Sequence, residues 1–241
     1  MFRLRHRLPD DFFQGAVDMH CHLLPGVDDG FPSAEKSLEA LKLLEQRGVE
    51  KMILTPHFMK EYPDNNRSNM MARFEAFRER AATVSKIELR LAGEYMLDAC
   101  FLEHFKQGFL TLDTAGKHVL CETSYLMYEP NGTEMIYEIM LNEFQPVIAH
   151  PERYEYAAKH NYFRWKDKQY KFQLNLLSLA GAYGGNATMK SHFLLKEGLY
   201  DFVGSDLHGL ENYRRFFSNI KLNRKEMEQL ERLLENNKKL L

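Results

Sequence analysis

The sequence predicts a single-domain α/β protein, a (β/α)7 barrel of the TIM type formed by residues 1–241. Three observations predict it. About seven short apolar runs alternate with longer segments of helical periodicity, the pattern of a parallel sheet with crossover helices. Polar residues fall at the C-terminal ends of these runs, where a parallel barrel gathers its site, and this favours a barrel over an open sheet. No glycine-rich phosphate loop of the dinucleotide or P-loop kind follows any run.

Taken in order, "GAVDMH" reads as the first buried strand. Ser33 can cap a helix with Glu35 in its first turn and Leu38, Leu41 and Leu44 on one face. "VEKMILTPH" is a second strand, stopped by Pro56, and residues 66–84 carry Met70, Phe74, Phe77 and Ala81 at helical spacing. "IELRLAGEY" alternates as a strand, "DACFLEHFKQG" is helical, and "KHVLCETS" is a strand. "TEMIYEIMLNEF" is helical, followed by strands at "QPVIAHPER" and "KFQLNLLS". A helix at "ATMKSHFLLKEG" leads to a last strand at "YDFVGSDLH". "RKEMEQLERLLENNKKLL" closes the chain as an amphipathic helix with lysines near its C-terminal end, where the dipole favours them.

The composition, 44% hydrophobic and 27% charged, is that of an ordinary globular protein, and the net charge of −2 recruits neither nucleic acid nor anionic membrane. No run is long enough to span a bilayer. The basic N-terminus "MFRLRHRLPDDFFQG" lacks the apolar stretch of a signal peptide. Cys21, Cys100 and Cys121 are odd in number and widely spaced, which argues against a disulfide framework and fits a cytoplasmic location.

The strand ends carry the chemistry. The first offers His20 and His22, two apart and therefore on one side of the strand, with Cys21 opposite. Later ends offer His57, Glu94, Glu122, His150 with Arg153 three residues on, and then Asp206 with His208. Any one of these is more often a satisfied core or surface group than a ligand, and His6, His104, His118, His160 and His192 are read that way. The joint pattern is a metal site. Mixed imidazole and carboxylate donors suit zinc, manganese or iron, and some nine candidates exceed the needs of one ion, so two or three ions are expected. Such ions would set water against a phosphorus or carbonyl centre.

The stretches "DMHCHLLPGVDDG", "TPHF", "GEYML", "VLCETS", "QLNLLSLAGAYG", "PVIAHPERY" and "VGSDLH" resemble the PHP (polymerase and histidinol phosphatase) superfamily. Within it they most resemble the bacterial manganese-dependent tyrosine-protein phosphatases of capsule and exopolysaccharide operons. The resemblance covers residues 17–210 and implies a distorted barrel, the PHP fold, with a trinuclear centre. By motif it implies that His20, His22, Glu94 and Asp206 hold one ion, and that Glu94 as a bridge, Glu122 and His150 hold a second. A third would be held by His57, His208 and an aspartate of the Asp28–Asp29 pair, with Asp29 nearest the family's ligand. Arg153 would face the phosphate as a bidentate fork. Arg214 is a second candidate clamp, where an insertion departs from the family pattern and Arg215 is adjacent.

A cysteine-based phosphatase needs an arginine six residues after its nucleophile. Positions 27, 106 and 127 are Val, Lys and Met, so no cysteine qualifies. The leading expectation is hydrolysis of phosphotyrosine on a protein. By resemblance that protein is a membrane-linked bacterial tyrosine kinase governing polysaccharide synthesis, and Tyr62, Tyr125, Tyr128 and Tyr183 could rim an open site for it. The alternatives are a small-molecule phosphatase of the same superfamily, such as one for histidinol phosphate, and a non-catalytic binder of phosphoproteins. A homo-oligomer is also compatible with the sequence.

Overall fold

A computed structural model describes residues 4–241. Its elements are β1 (His6–Arg7), β2 (Ala16–Cys21), α1 (Ala34–Gln46), β3 (Val49–Leu54), β4 (His57–Phe58), α2 (Arg67–Ala82), β5 (Glu88–Leu91), β6 (Glu94–Met96) and α3 (Phe101–Gln107). They continue with β7 (His118–Glu122), α4 (Gly132–Leu141), β8 (Gln145–Ile148), α5 (Lys159–Asp167), β9 (Lys171–Asn175), α6 (Gly184–Lys196), β10 (Phe202–Gly204), α7 (Leu210–Phe216), β11 (Lys221–Leu222) and α8 (Arg224–Lys238).

Two parallel sheets, ordered β2-β3-β5 and β10-β9-β8-β7-β6-β4, form a curled layer with helices outside it. Backbone bonds tie the sheets together where β10 ends beside β2: Asp206 N donates to His20 O and His22 N to Leu207 O. The predicted second and third strands are each broken in two. Pro56, which has no N–H to give, interrupts the one between β3 and β4. Gly93 interrupts the other between β5 and β6; a Cβ there would sit 2.7 Å from the Phe58 ring. These breaks let His57 and Glu94 start new short strands at the carboxyl edge, paired in register.

Local sequence accounts for the helices. Ser33 accepts from Lys36 N at the start of α1, and Ala40, Leu41 and Leu44 are buried, with Leu38 only partly so. Asn66 caps α2, whose buried face is Met70, Phe74, Phe77 and Ala81, as its spacing predicts. Helix α3 begins at Phe101, later than its periodicity suggests, because Asp98 accepts from Cys100 N in a turn instead.

The core has two parts. A large apolar layer lies between sheet and helices. A small one fills the inside of the curl with Met19, Ile53, Ala92, Leu112, Leu120, Val147, Ala149, Phe202 and Leu240. Leu240 arrives from beyond α8, and its carbonyl accepts from Arg90 Nη1 and from Thr114 N, both at 3.0 Å. Asn237 in α8 donates to Val17 O and Val203 O and accepts from Val203 N, pinning the helix to β2 and β10. Among the described residues no helix is long and apolar enough to cross a membrane.

Candidate metal centre

The carboxyl edge of the curled sheet brings the predicted donors together. His20 Nε2 lies 3.2 Å from His22 Nε2, 3.3 Å from Glu94 Oε2 and 3.3 Å from Asp206 Oδ1. Glu94 Oε1 is 3.1 Å from His150 Nε2. His57 Nδ1 is 3.1 Å from both Glu94 Oε2 and Glu122 Oε1. Asp29 Oδ1 is 3.4 Å from His57 Nε2 and from His208 Nε2. The deep donors are buried, whereas Asp29 is 60% and His208 29% exposed, so the cluster opens to solvent on their side.

The chemistry fits divalent ions. Four buried atoms in this crowd, His57 Nδ1, Glu94 Oε2, Glu122 Oε1 and Asp206 Oδ1, face one another or a neighbouring imidazole at 3.1–3.4 Å without an aligned hydrogen bond, and His150 Nδ1 has no partner. Orphaned buried polar atoms are costly, and here they share one small volume with mixed N and O donors. Four sets of ligand atoms each lie within 4.8 Å of one another: His22–Asp29–His57–His208, His20–Glu94–His150, His20–His22–Asp206 and His57–Glu94–Glu122.

The electrostatics say the same. Burial works against the charged forms throughout, yet Glu94 and Asp206 raise His20, and Glu94 with Asp29 and Glu122 raises His57 well above the ordinary 6.5. His22 is raised as well, by Asp28 and Asp206 against burial and the neighbouring His57. Glu94 and Asp206 are held well below their ordinary values by the same imidazoles, against the opposing effect of burial. The carboxylates demand nearby positive charge, and protons on the histidines meet that demand.

An outer layer holds the donors in place. Gln173 Oε1 accepts from His150 N and lies 3.1 Å from His20 Nδ1. Asp28 lies 2.9 Å from His22 Nδ1 and accepts from the backbone of His57 and Gly30. Asp28 thus orients imidazoles, while Asp29 reaches the cluster itself. Asn175 donates to Asp206 Oδ2 at 2.7 Å. Asp18 accepts from Ser205 N and Oγ and from His20 N. Partners of this kind fix which ring nitrogen is free to ligate. His150 (φ 32°) and Asp206 (φ 50°) both adopt left-handed backbone, which non-glycine residues rarely do and which clusters at functional sites.

Arg153 donates to Asp206 Oδ2 at 2.8 Å. Its guanidinium is sandwiched between the rings of Tyr125 and Tyr183, 4.2 and 4.1 Å from their centroids. Tyr125 in turn donates to Glu122 Oε2. Tyr62 lies parallel to His57 at the rim. Tyr128 lies elsewhere, in a separate cavity. Arg214 is exposed and donates to Glu39 at 2.9 Å; with Arg215 it lines a groove that begins at His208.

Sequence reasoning passed over Asp18, Gln173 and Asn175. A readable signal existed: Asp18 continues the alternation of His20 and His22, and Gln173 and Asn175 alternate with the apolar Phe172 and Leu174. Of the histidines set aside, His192 pairs with Glu226, His118 lies by Asp113, and His104 is buried with both ring nitrogens unpartnered.

A curled parallel α/β sheet with a histidine–carboxylate cluster on its carboxyl edge defines a metal-site protein of the α/β class. The profile of the family described as "Capsular polysaccharide synthesis, CpsB/CapC" matches residues 16–239, and the chain belongs to that family. Tyrosine-protein phosphatase YwqE of Bacillus subtilis (strain 168) is 27% identical over 204 residues, spanning 81% of this chain and 78% of its own. CapC of Staphylococcus aureus is 26% identical over 235 residues, 93% of this chain and 91% of its own. Tyrosine-protein phosphatase CpsB of Streptococcus pneumoniae is 27% identical over 208 residues, 81% and 84%. The fold matches a solved structure from work on YwqE and CpsB, described as unique metal-dependent tyrosine phosphatases, with a TM-score of 0.78 at 24% identity over 93% of this chain and 94% of that one.

Proposed function

We propose that this protein is a metal-dependent protein-tyrosine phosphatase, a cytoplasmic enzyme whose substrate is a membrane-linked bacterial tyrosine kinase of capsule or exopolysaccharide synthesis. The observation that carries this reading is the knot of buried imidazole and carboxylate atoms without aligned hydrogen bonds beside the half-buried Arg153. The names of the similar proteins support the phosphotyrosine substrate. We read the whole of residues 1–241 as one domain, a distorted (β/α)7 barrel of the PHP type.

The donor set fits three ions, with manganese the preferred occupant and iron or zinc compatible. His20, His22, Glu94 and Asp206 would hold one; Glu94, Glu122 and His150 a second; Asp29, His57 and His208 a third. When bound, such ions activate water as the nucleophile and neutralise phosphate oxygens. The chain's own groups do the rest. Arg153 turns its guanidinium fork toward phosphate, and Tyr125 and Tyr183 hold that fork flat. Arg214 is a second phosphate clamp reached along the His208 groove. Asp28 and Gln173 keep His22 and His20 in fixed orientations.

The test is phosphate release from a phosphotyrosine peptide, with histidinol phosphate in parallel, in manganese and in chelator. Chelator-sensitive turnover of the peptide is expected. Turnover of histidinol phosphate alone would move the protein to small-molecule chemistry, and turnover unaffected by chelator would remove the metal from the reaction.

A further inference from the structure

We propose that the cleft between α4 and α5 is a second binding site, separate from the metal centre, for a small aromatic anion: a planar ring bearing a phosphate. The cavity measures about 390 Å3, within the range of small-molecule sites. None of the nine metal-site donors lines it.

Its walls are aromatic. Tyr128, Tyr156 and Trp165 face the space, and the fully buried Tyr154 backs Tyr156. The Tyr154 and Tyr156 rings stack nearly parallel at 5.7 Å, and Tyr128 meets Tyr156 edge-on at the same separation. This wall is already fixed in stacking geometry, so a further ring can join it without reordering the side chains.

Its rim is cationic. Arg164 near the end of α5 and Lys168, which caps that end four residues later, both line the cavity. Like charges at this spacing repel. Lys166, between them in sequence, pairs with Asp201 at 2.5 Å. Among the described residues neither Arg164 nor Lys168 has an acidic partner. The helix dipole favours cations at this end of α5, but it does not direct two of them onto one cavity. An anion placed there would satisfy both. Leu97, Ile136 and Ile148 line the cavity beside the hydroxyls of Thr123 and Thr133 and carry no cation, so the apolar part suits a ring while its phosphate stays at the cationic rim.

A phosphotyrosine side chain and a nucleoside monophosphate share this chemistry. The inference does not rest on the phosphatase reading. Held by two cations with no metal donor in reach, the ligand is bound and not hydrolysed.

Trp165 is the sole tryptophan of the chain, so its emission reports on this cavity directly. The metal-loaded protein is titrated with phosphonomethyl-phenylalanine (a non-hydrolysable phosphotyrosine analogue), with adenosine monophosphate, and with inorganic phosphate. A saturable change is expected with at least one ring-bearing probe, and the tighter of the two identifies the source. It should weaken by about tenfold or more in the double variant Arg164→Ala/Lys168→Ala. It should persist in His20→Ala, which separates it from binding at the metal centre. Both rim residues are exposed, so the double variant should keep its circular dichroism. The proposal is overturned if neither ring probe gives a saturable change, if the double variant binds as well as the parent, or if inorganic phosphate reproduces the response.

Discussion

At the scale of single residues, the centre divides into groups that would touch an ion and groups that aim them. His20→Ala or Asp206→Ala should abolish metal content and phosphatase activity while leaving circular dichroism unchanged, as metal analysis alongside spectra will show. Arg153→Ala should leave the metal content intact and raise KM by about tenfold or more, because a charge-assisted fork is lost. Tyr183→Phe should be nearly silent in this assay, whereas Tyr183→Leu should move KM in the direction of Arg153→Ala, since the ring face rather than the hydroxyl holds the guanidinium. The donors were legible because a parallel sheet gathers its strand ends and because every predicted strand except "KFQLNLLS" carries His, Asp or Glu at or near its end. The resemblance favoured Asp29 over Asp28, but residue chemistry alone did not separate adjacent carboxylates; the turn that aims Asp28 at the backbone of His57 and Gly30 gives the physical reason. Nor did any local pattern announce that Tyr125 and Tyr183, far apart in the chain, would close on one arginine.

At the scale of elements, the precision of the site depends on how closely strands approach. A Cβ at Gly204 would lie 2.5 Å from His20 Cβ, and one at Gly30 would lie 2.3 Å from His22 O. Gly204→Ala should therefore destabilise the fold by roughly 1–3 kcal/mol and lower metal affinity, read by thermal melts and metal titration. The anchor of α8 makes a separate prediction. Asn237→Leu strands the backbone groups of Val17 and Val203 in an apolar setting and should cost about 1–3 kcal/mol, seen as a lower denaturation midpoint. Apolar periodicity revealed the long helices α1, α2 and α8 because their buried faces repeat over several turns. It did not reveal α5, whose only buried residue is Tyr162, or the two-residue pair β1–β11, which is set by tertiary pairing and not by pattern. Pro56 reads as a strand stop, but Gly93 lies inside a stretch that reads as one continuous strand, and both breaks bring His57 and Glu94 to the edge.

At the scale of the whole molecule, the centre links stability to pH and metal. His20, His22 and His57 are raised above 6.5, so in metal-free protein they stabilise the fold fully below that value, and this contribution is lost as pH rises through their folded values. Metal must displace the same protons, so its apparent affinity should rise with pH across and above 6.5. The gap in Tm between manganese-loaded and chelated protein should consequently widen from about pH 6 to about pH 8, which paired thermal melts will measure. The seat of Leu240 inside the curl carries a consequence for synthesis. Every donor from His20 to His208 is made before Leu240, so a nascent chain can hold the complete chemistry of its centre while the opposite end of the curl is still an open hole. Without the Leu240 side chain the inner core loses one of the residues packed with Ile53, Leu120 and Val147, so a chain can carry every donor of its centre while the packing beneath it is incomplete.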